Sequence, residues 1–324
     1  MATRQRLVRF VRRRVTRRLS ALTVLAGALA LAATTVPAAT AAGAATTPGG
    51  TVHASATAGA DSEGIVVDGW GGLHVFTYGS TPAKITSFNG EPYWPGWDIA
   101  RGVALRNPNP NTCTAFGGYV LDGWGGLQTF GINGNGAPAH PKDGPYWKGW
   151  DIARDVALLP MDPRNPDSPP KGGLVLDGWG GLHYFTINAG SPRPVLANTP
   201  YWPGWDIARG VVVVTDSNGY VGGYVIDGWG GTHPFSIDGH MAPALAPGAP
   251  YWSGWDIAEG GAPVPASIPG GIANGGFVLD GFGGLHGFTL QGRTAPDGRQ
   301  IHGAPYWQGF DIARGVTMRP IRTC

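Results

Sequence analysis

One sequence unit occurs five times between residues 64 and 319, and its copies lie 50 to 55 residues apart. Its first half contains Asp-Gly-aromatic-Gly-Gly, and its second half reads Pro-Tyr-Trp-x-Gly-aromatic-Asp-Ile-Ala. The first-half aspartates are Asp68, Asp122, Asp177, Asp227 and Asp280, and the second-half aspartates are Asp98, Asp151, Asp206, Asp256 and Asp311. Five copies of one small unit predict a repeat architecture and exclude threefold trefoils and prisms.

Each unit has the pattern of several short β-strands. Apolar and β-branched runs such as Ile65-Val66-Val67 precede the Asp-Gly turn, and Leu73-His74-Val75-Phe76 resumes an extended segment after it. Arg101-Gly102-Val103 begins another strand, and Pro-Tyr-Trp-x-Gly-Trp is a candidate for a fourth, outer strand. Three or four strands in about 53 residues are typical of a propeller blade. We therefore expect an all-β, five-bladed β-propeller, with an open β-solenoid as the alternative.

The order of the segments favours a closed ring. The first copy begins on a hairpin at Gly64, whereas the last copy ends on a strand at Arg314–Met318 that has no hairpin after it. Pairing of this C-terminal strand with the N-terminal hairpin would complete a blade and remove two exposed edges. The two cysteines, Cys113 and Cys324, follow equivalent strands of neighbouring blades, so we expect a disulfide across the closure; an intermolecular disulfide is the alternative.

The first 42 residues differ in composition from the rest. They contain eight arginines and no acidic residue, followed by a short apolar stretch and small residues such as Ala39-Thr40-Ala41. This pattern predicts a secretion signal over 1–42, a flexible Ala/Thr/Gly linker over 43–62 and the propeller over 63–324. The protein is therefore expected to be secreted, without a membrane span and as a monomer.

The composition limits which classes of binding partner are expected. Without residues 1–42 the chain carries 15 basic and 21 acidic residues, which does not favour a nucleic-acid surface. Gly and Pro together make up 84 of the 324 residues, a level usual in disordered chains, but all 13 Trp lie in the repeats. The glycines and prolines are therefore interpreted as turn residues of an ordered repeat.

The repeated motifs are expected on one face of the ring. In a propeller, the turn between the second and third strands lies on the same face as the link that enters the next inner strand. The Asp-Gly-Trp turns and the Trp-Asp-Ile-Ala segments should therefore gather there, and the segments that differ between copies should form the opposite face.

The turns are candidate ligand sites. A Trp face can stack on a sugar ring while the neighbouring carboxylate accepts hydroxyl hydrogen bonds; alternatively, the Asp caps the turn and the Trp packs between blades. The candidate residues are Trp70, Asp68, Trp124, Asp122, Trp179, Asp177, Trp229, Asp227, Phe282 and Asp280. The second-half aromatics, such as Tyr93, Trp94 and Trp97, are interpreted mainly as packing residues.

Two polar patterns are expected to be structural. An Arg follows the second-half Asp at i+3 in four copies, and Glu259 replaces it in the other. We expect ion pairs Asp98/Arg101, Asp151/Arg154, Asp206/Arg209 and Asp311/Arg314. A His follows the turn in four copies, and one His per blade does not make a metal site, so we expect His–Asp hydrogen bonds, no metal and no cofactor.

The double motif resembles Trp- and Gly-rich repeats of secreted actinobacterial proteins. The segments that carry this resemblance are Gly-Gly-Tyr-Val-Leu-Asp-Gly-Trp-Gly-Gly-Leu at 117–127 and Pro-Tyr-Trp-Pro-Gly-Trp-Asp-Ile-Ala-Arg-Gly at 200–210. The resemblance implies an extracellular, propeller-like module without implying a chemistry. In copy number and length the chain also resembles five-bladed tachylectin-type lectins, although the motifs differ.

Three functions follow, in order of preference. The first is a non-catalytic, multivalent, lectin-like module that binds glycans or cell-surface polysaccharide. The second is an extracellular scaffold whose variable loops bind a secreted protein partner. The third is a glycoside hydrolase, which the scarcity of glutamate disfavours, since the chain has only Glu63, Glu91 and Glu259.

Overall fold

A computed structural model describes residues 61–106, 117–160, 162, 169–187, 191–216, 218–266 and 273–321. Within these ranges the fold consists of β-strands and one 3-10 turn at Gly298–Gln300. The strands are β1 (Ser62–Asp68), β2 (Leu73–Tyr78), β3 (Phe88–Asn89), β4 (Ala100–Leu105), β5 (Gly118–Asp122), β6 (Leu127–Ile132), β7 (Ala153–Pro160), β8 (Pro170–Asp177), β9 (Leu182–Thr186), β10 (Leu196–Ala197), β11 (Ala208–Thr215), β12 (Val221–Asp227), β13 (Thr232–Ile237), β14 (His240–Met241), β15 (Ala258–Pro263), β16 (Gly275–Asp280), β17 (Leu285–Thr289), β18 (Ile301–His302) and β19 (Ala313–Pro320).

The strands form five small antiparallel sheets arranged in a ring, which confirms the five-bladed β-propeller. From the axis outward, blade 1 is β19-β1-β2-β18 and blade 2 is β4-β5-β6-β3. Blade 3 is β7-β8-β9, blade 4 is β11-β12-β13-β10 with β14 also paired to β13, and blade 5 is β15-β16-β17. Isolated bridges, Lys142 with Thr186 and Leu245 with Leu290, occupy the outer position in blades 3 and 5.

Blade 1 is built from both ends of the chain, as the order of the repeats predicts. Strand β19 pairs with β1 from Ser62 opposite Pro320 to Asp68 opposite Ala313, and the short β18 adds to β2. Strand β1 begins at Ser62, one residue inside the predicted linker. The predicted disulfide between Cys113 and Cys324 lies outside the described residues.

The expectation of an outer strand at Pro-Tyr-Trp-x-Gly-Trp is wrong. In blade 2 the outer strand is Phe88–Asn89, and the motif that follows it is a turn closed by a 3.0 Å bond from the Trp97 amide to the Trp94 carbonyl. Proline has no amide proton for a sheet, and Gly96 adopts φ +76° in this turn. The motif therefore leads the chain from the outer edge of a blade to its inner strand, along the boundary with the preceding blade.

The core consists of five apolar clusters, one at each boundary between blades. Between blades 1 and 2, for example, Ile65 and Val67 pack with Val103, Val120 and Phe130, all of which are buried. Each blade thus buries both of its faces against its neighbours, including at the boundary between the first and last blades.

The inner strands meet around the axis. They line a cavity of about 240 Å³ with side chains such as Val103, Leu158, Val213 and Met318. In four blades the second-half Arg, or the Glu259 that replaces it, is followed by a glycine on the inner strand, and at these glycines the inner strands approach each other most closely. The glycines are Gly102, Gly210, Gly260 and Gly315. Asp155 is the exception.

Candidate functional site

The Asp-Gly-aromatic turns are closed by their own aspartates. In blade 1, Oδ1 of Asp68 accepts hydrogen bonds from the amides of Trp70 and Gly72, both at 2.9 Å, and Oδ2 lies 2.8 Å from Nε2 of His74. The same three contacts recur at Asp177, Asp227 and Asp280, and Gln128 replaces the His beside Asp122 at 3.4 Å. The predicted His–Asp hydrogen bonds are confirmed.

These hydrogen bonds lower the pKa of the turn aspartate by more than burial raises it. Burial alone would raise the pKa of Asp68, but hydrogen bonds from His74 and from the Gly72 and Trp70 amides hold this pKa below its usual value. Asp280 has a lowered pKa for the same reasons. Because these aspartates already hold the turn, they have little capacity left for a ligand.

The two motifs interlock around the whole ring. The Gly69 amide donates to the Ile312 carbonyl at 2.8 Å, and the Gly69 carbonyl accepts from the Ile99 amide at 2.8 Å. Equivalent bonds continue from Ile99 through Gly123, Ile152, Gly178, Ile207, Gly228, Ile257 and Gly281 back to Ile312. The result is a closed ring of backbone hydrogen bonds, and it confirms that both motifs lie on one face, which we call the motif face.

The Gly that follows each turn Asp leaves room for the second-half Asp. A Cβ at Gly123 would collide with Oδ1 of Asp151, and a Cβ at Gly178 would collide with that of Asp206. In blade 1 the equivalent glycine is Gly69, and Gly71, two residues after it, adopts φ +90° beneath the Trp94 ring. The Asp-Gly and Gly-Trp-Asp motifs are therefore parts of one structural unit.

The second-half aspartates and arginines form a ring of ion pairs. The four predicted i,i+3 pairs are present, with N–O distances of 2.9–3.2 Å. Each Arg also binds the Asp of the neighbouring repeat: Arg101 binds Asp151, Arg154 binds Asp206, Arg209 binds Asp256 and Arg314 binds Asp98. These contacts between repeats, which the spacing within one repeat could not predict, connect four of the five gaps in the ring.

The remaining gap lies between Asp256 and Asp311. Glu259 occupies the Arg position there, and its carboxylate lies 3.8 Å from Arg314. Burial raises the pKa of Glu259 to about 7, although Arg314 and Arg209 act in the opposite direction. The ring therefore contains one segment with excess negative charge.

The first Trp of each Pro-Tyr-Trp is a wedge between blades. The Trp147 amide donates to the Trp124 carbonyl at 2.7 Å, and its ring meets His183 edge-on with centroids 4.9 Å apart. The same contact joins Trp202 to His233, Trp252 to His286 and Trp307 to His74. The expectation that these tryptophans pack in the structure is confirmed.

The second Trp and the Tyr, by contrast, are exposed, contrary to expectation. The Trp side chains are 47–54% exposed and the Tyr side chains 55–65%. The exposed residues are Trp97, Trp150, Trp205, Trp255, Tyr93, Tyr146, Tyr201, Tyr251 and Tyr306. Nothing in the pattern distinguishes them from the wedge Trp, because all of them lie in one motif.

The turn aromatics are mostly half-buried. Trp124, Trp179, Trp229 and Phe282 each meet an exposed Trp of the same blade, and this pair of rings is called a station below. The three Trp–Trp stations are nearly identical, with centroids 5.6–6.0 Å apart at 71–74°. In blade 1, where Phe310 replaces the Trp, Trp70 is 38% exposed and Phe310 is 71% exposed.

No family model, no curated protein and no solved structure matches this chain. The resemblance to Trp- and Gly-rich repeats therefore stays a prediction.

A buried aspartate, Asp155, lies near the propeller axis beneath the motif face. Asp155 is 1% exposed and accepts 2.8 Å bonds from the amides of Val156 and Val211. Burial raises its pKa well above the usual value, and the two amide bonds only partly oppose this.

Among the described residues there is no cluster of three or more His, Cys, Asp or Glu suited to a metal ion. In the same part of the chain, no helix has the length and hydrophobicity of a transmembrane span.

Proposed function

We propose that this protein is a secreted, non-catalytic module that binds glycans at several equivalent places on the motif face. The observation that carries this proposal is the ring of exposed Trp and Tyr side chains, repeated in register with the blades. Large exposed aromatic surfaces on a soluble domain usually mark interaction sites. The apolar faces of sugar rings stack on such side chains.

The binding residues of this proposal differ in part from those suggested by the sequence. The turn aspartates Asp68, Asp122, Asp177, Asp227 and Asp280 are engaged within their turns, so the aromatic stations carry the proposal. Each station combines a turn ring with the exposed ring of the preceding Gly-Trp-Asp segment. Three Trp–Trp stations, in blades 2, 3 and 4, would bind alike, and the Trp255–Phe282 station of blade 5 would bind more weakly.

Equivalent stations on a rigid ring favour polymeric ligands. Weak sites become effective when one chain or one surface engages several of them, and the gain in apparent affinity can reach about 10²–10⁴-fold. The test is a titration of the protein with soluble polysaccharides and with their monosaccharides, together with the variant W97A/W150A/W205A.

The variant should lose about 100-fold in apparent affinity for a polymer, while each remaining station binds monosaccharide as before. Tyr220→Ala is the matched control, because Tyr220 is a 40% exposed aromatic residue outside both motifs. Equal loss in the control, or unchanged binding in the triple variant, would contradict the assignment. If the wild type binds no glycan, the extracellular protein scaffold becomes the preferred function, since exposed Tyr and Trp are also enriched at protein interfaces.

A further inference from the structure

On the motif face, the acidic side chains of the ion-pair ring are exposed and the basic side chains are mostly buried. In the ion-pair ring the Asp side chains are 42–50% exposed, whereas the Arg side chains beneath them are only 12–13% exposed. A ligand that approaches the stations therefore meets carboxylates before it meets guanidinium groups.

The surrounding residues reinforce this negative charge. The two motifs and the residues directly flanking them contain eleven acidic residues besides Glu259, namely the ten motif aspartates and Glu91, and only five basic ones, Arg101, Lys148, Arg154, Arg209 and Arg314. Opposing effects act on Asp98 and Asp206: burial favours a higher pKa, but the neighbouring arginines outweigh it and lower the pKa of both carboxyls. These carboxylates therefore stay ionised in mildly acidic solution.

Each exposed Trp is followed directly in the chain by one of these carboxylates. Trp97 precedes Asp98, whose carboxylate already accepts three hydrogen bonds from Arg101 and Arg314. Trp255 precedes Asp256, which is bound by Arg209 among the described residues and lies beside the gap occupied by Glu259, so this carboxylate has the most capacity for a ligand. An aromatic face attracts a cation through its quadrupole, and an adjacent carboxylate adds a charge-assisted hydrogen bond. A neutral sugar would use only the ring, and an acidic sugar would be repelled.

We infer that the glycans bound at the stations carry free amino groups, so that a protonated amino sugar lies on an exposed Trp beside an Asp carboxylate. This inference rests on the proposed glycan-binding function and adds the charge of the ligand. Acidic polysaccharides are excluded by the same arrangement.

The experiment compares two hexamers with the same sugar backbone, one with free amino groups and one with neutral N-acetyl groups. Calorimetric titrations use the glucosamine hexamer and the N-acetylglucosamine hexamer, with carboxymethyl cellulose as the acidic polymer, in a mildly acidic buffer at low and high salt. The glucosamine hexamer should bind about tenfold more tightly than the acetylated one at low salt, the size of one exposed cation–π contact plus one exposed ion pair. High salt should reduce the difference.

The variable residue of Pro-Tyr-Trp-x-Gly-aromatic provides matched charge variants. It is exposed in all copies and is already Lys148 in one of them, so the fold accepts Ser253→Lys and Gln308→Lys. Each added lysine should weaken glucosamine-hexamer binding about threefold, as expected for unit charges roughly 7 Å apart in water, and should leave the acetylated hexamer unaffected. Gln291→Lys, at an exposed position outside both motifs, is the control.

Equal affinity for the two hexamers, or tighter binding of carboxymethyl cellulose, would overturn the inference while leaving glycan binding intact. If the wild type binds neither the hexamers nor any neutral polysaccharide, the proposed function fails, and the inference fails with it.

Discussion

One buried ion pair joins the two strands that close the ring, and its removal provides a sharp test of the structure. Arg319 on β19 lies opposite Glu63 on β1, and their side chains are 1% and 2% exposed. Nε and Nη2 of Arg319 donate to Oε1 of Glu63 at 2.9 and 2.7 Å. The other carboxylate oxygen accepts from the amides of Lys84 and Ile85 at 2.7 and 2.9 Å.

The expected cost follows from these contacts. Arg319→Met leaves the Glu63 carboxylate buried with two backbone donors and no cation, which should lower the free energy of unfolding by about 3–5 kcal/mol. Glu63→Met leaves the guanidinium buried with the Arg106 carbonyl, at 3.3 Å, as its remaining acceptor among the described residues, and should cost about the same. The double variant removes both charges and leaves mainly the buried Ile85 amide without an acceptor, so it should lose only about 1–3 kcal/mol.

Urea unfolding and thermal unfolding are both followed by fluorescence, because all 13 Trp lie in the repeats. Arg319→Met should lower the melting temperature by about 10 °C, and hydrogen exchange of β1 and β19 amides should accelerate more than that of other blades. Arg299→Met is the matched control, since Arg299 pairs with Asp297 at 2.9 Å but is 91% exposed. The reasoning is refuted if Arg319→Met is no more destabilising than this control, or if the double variant is less stable than both single variants.

Three further perturbations test the motif face. In the variant Glu259→Arg, the new guanidinium should bridge Asp256 and Asp311 as the other arginines bridge their neighbours. Urea titrations at neutral pH should then show a free energy of unfolding about 2 kcal/mol higher than that of the wild type. Lower stability would show that the gap cannot hold a guanidinium. The folded protein keeps the Glu259 proton up to about pH 7, whereas the unfolded chain releases it near 4.5. Stability should therefore fall by about 3 kcal/mol as the pH rises through that interval, and a titration of Glu259→Gln that falls equally would contradict the assignment. Gly123→Ala should cost about 1–3 kcal/mol because its Cβ displaces Asp151, while Gly136→Ala, where a Cβ meets nothing within 4 Å, should be neutral; equal thermal midpoints would refute the interlocking of the motifs.

The sequence alone determined the architecture, because the repeat leaves few alternatives. The period of 50 to 55 residues, the five copies and the unpaired segments at the two ends together predict the blade count and the closure, and both are present. The i,i+3 ion pairs and the His–Asp bonds were also predictable, since both partners lie within one repeat at a fixed spacing.

Contacts between repeats, and the exposure of each ring, were decided only by the tertiary structure. Trp94 and Trp97 lie three residues apart in one motif, yet the first fills the boundary between two blades and the second faces solvent. Three of the arginines bind an Asp about 50 residues away as well as their own, and Arg314 binds one that is 216 residues away. Glu63 meets Arg319 across the closure. A repeated sequence states which residues every blade contains, but burial depends on what the neighbouring blade places against them, and that is fixed only when the ring closes.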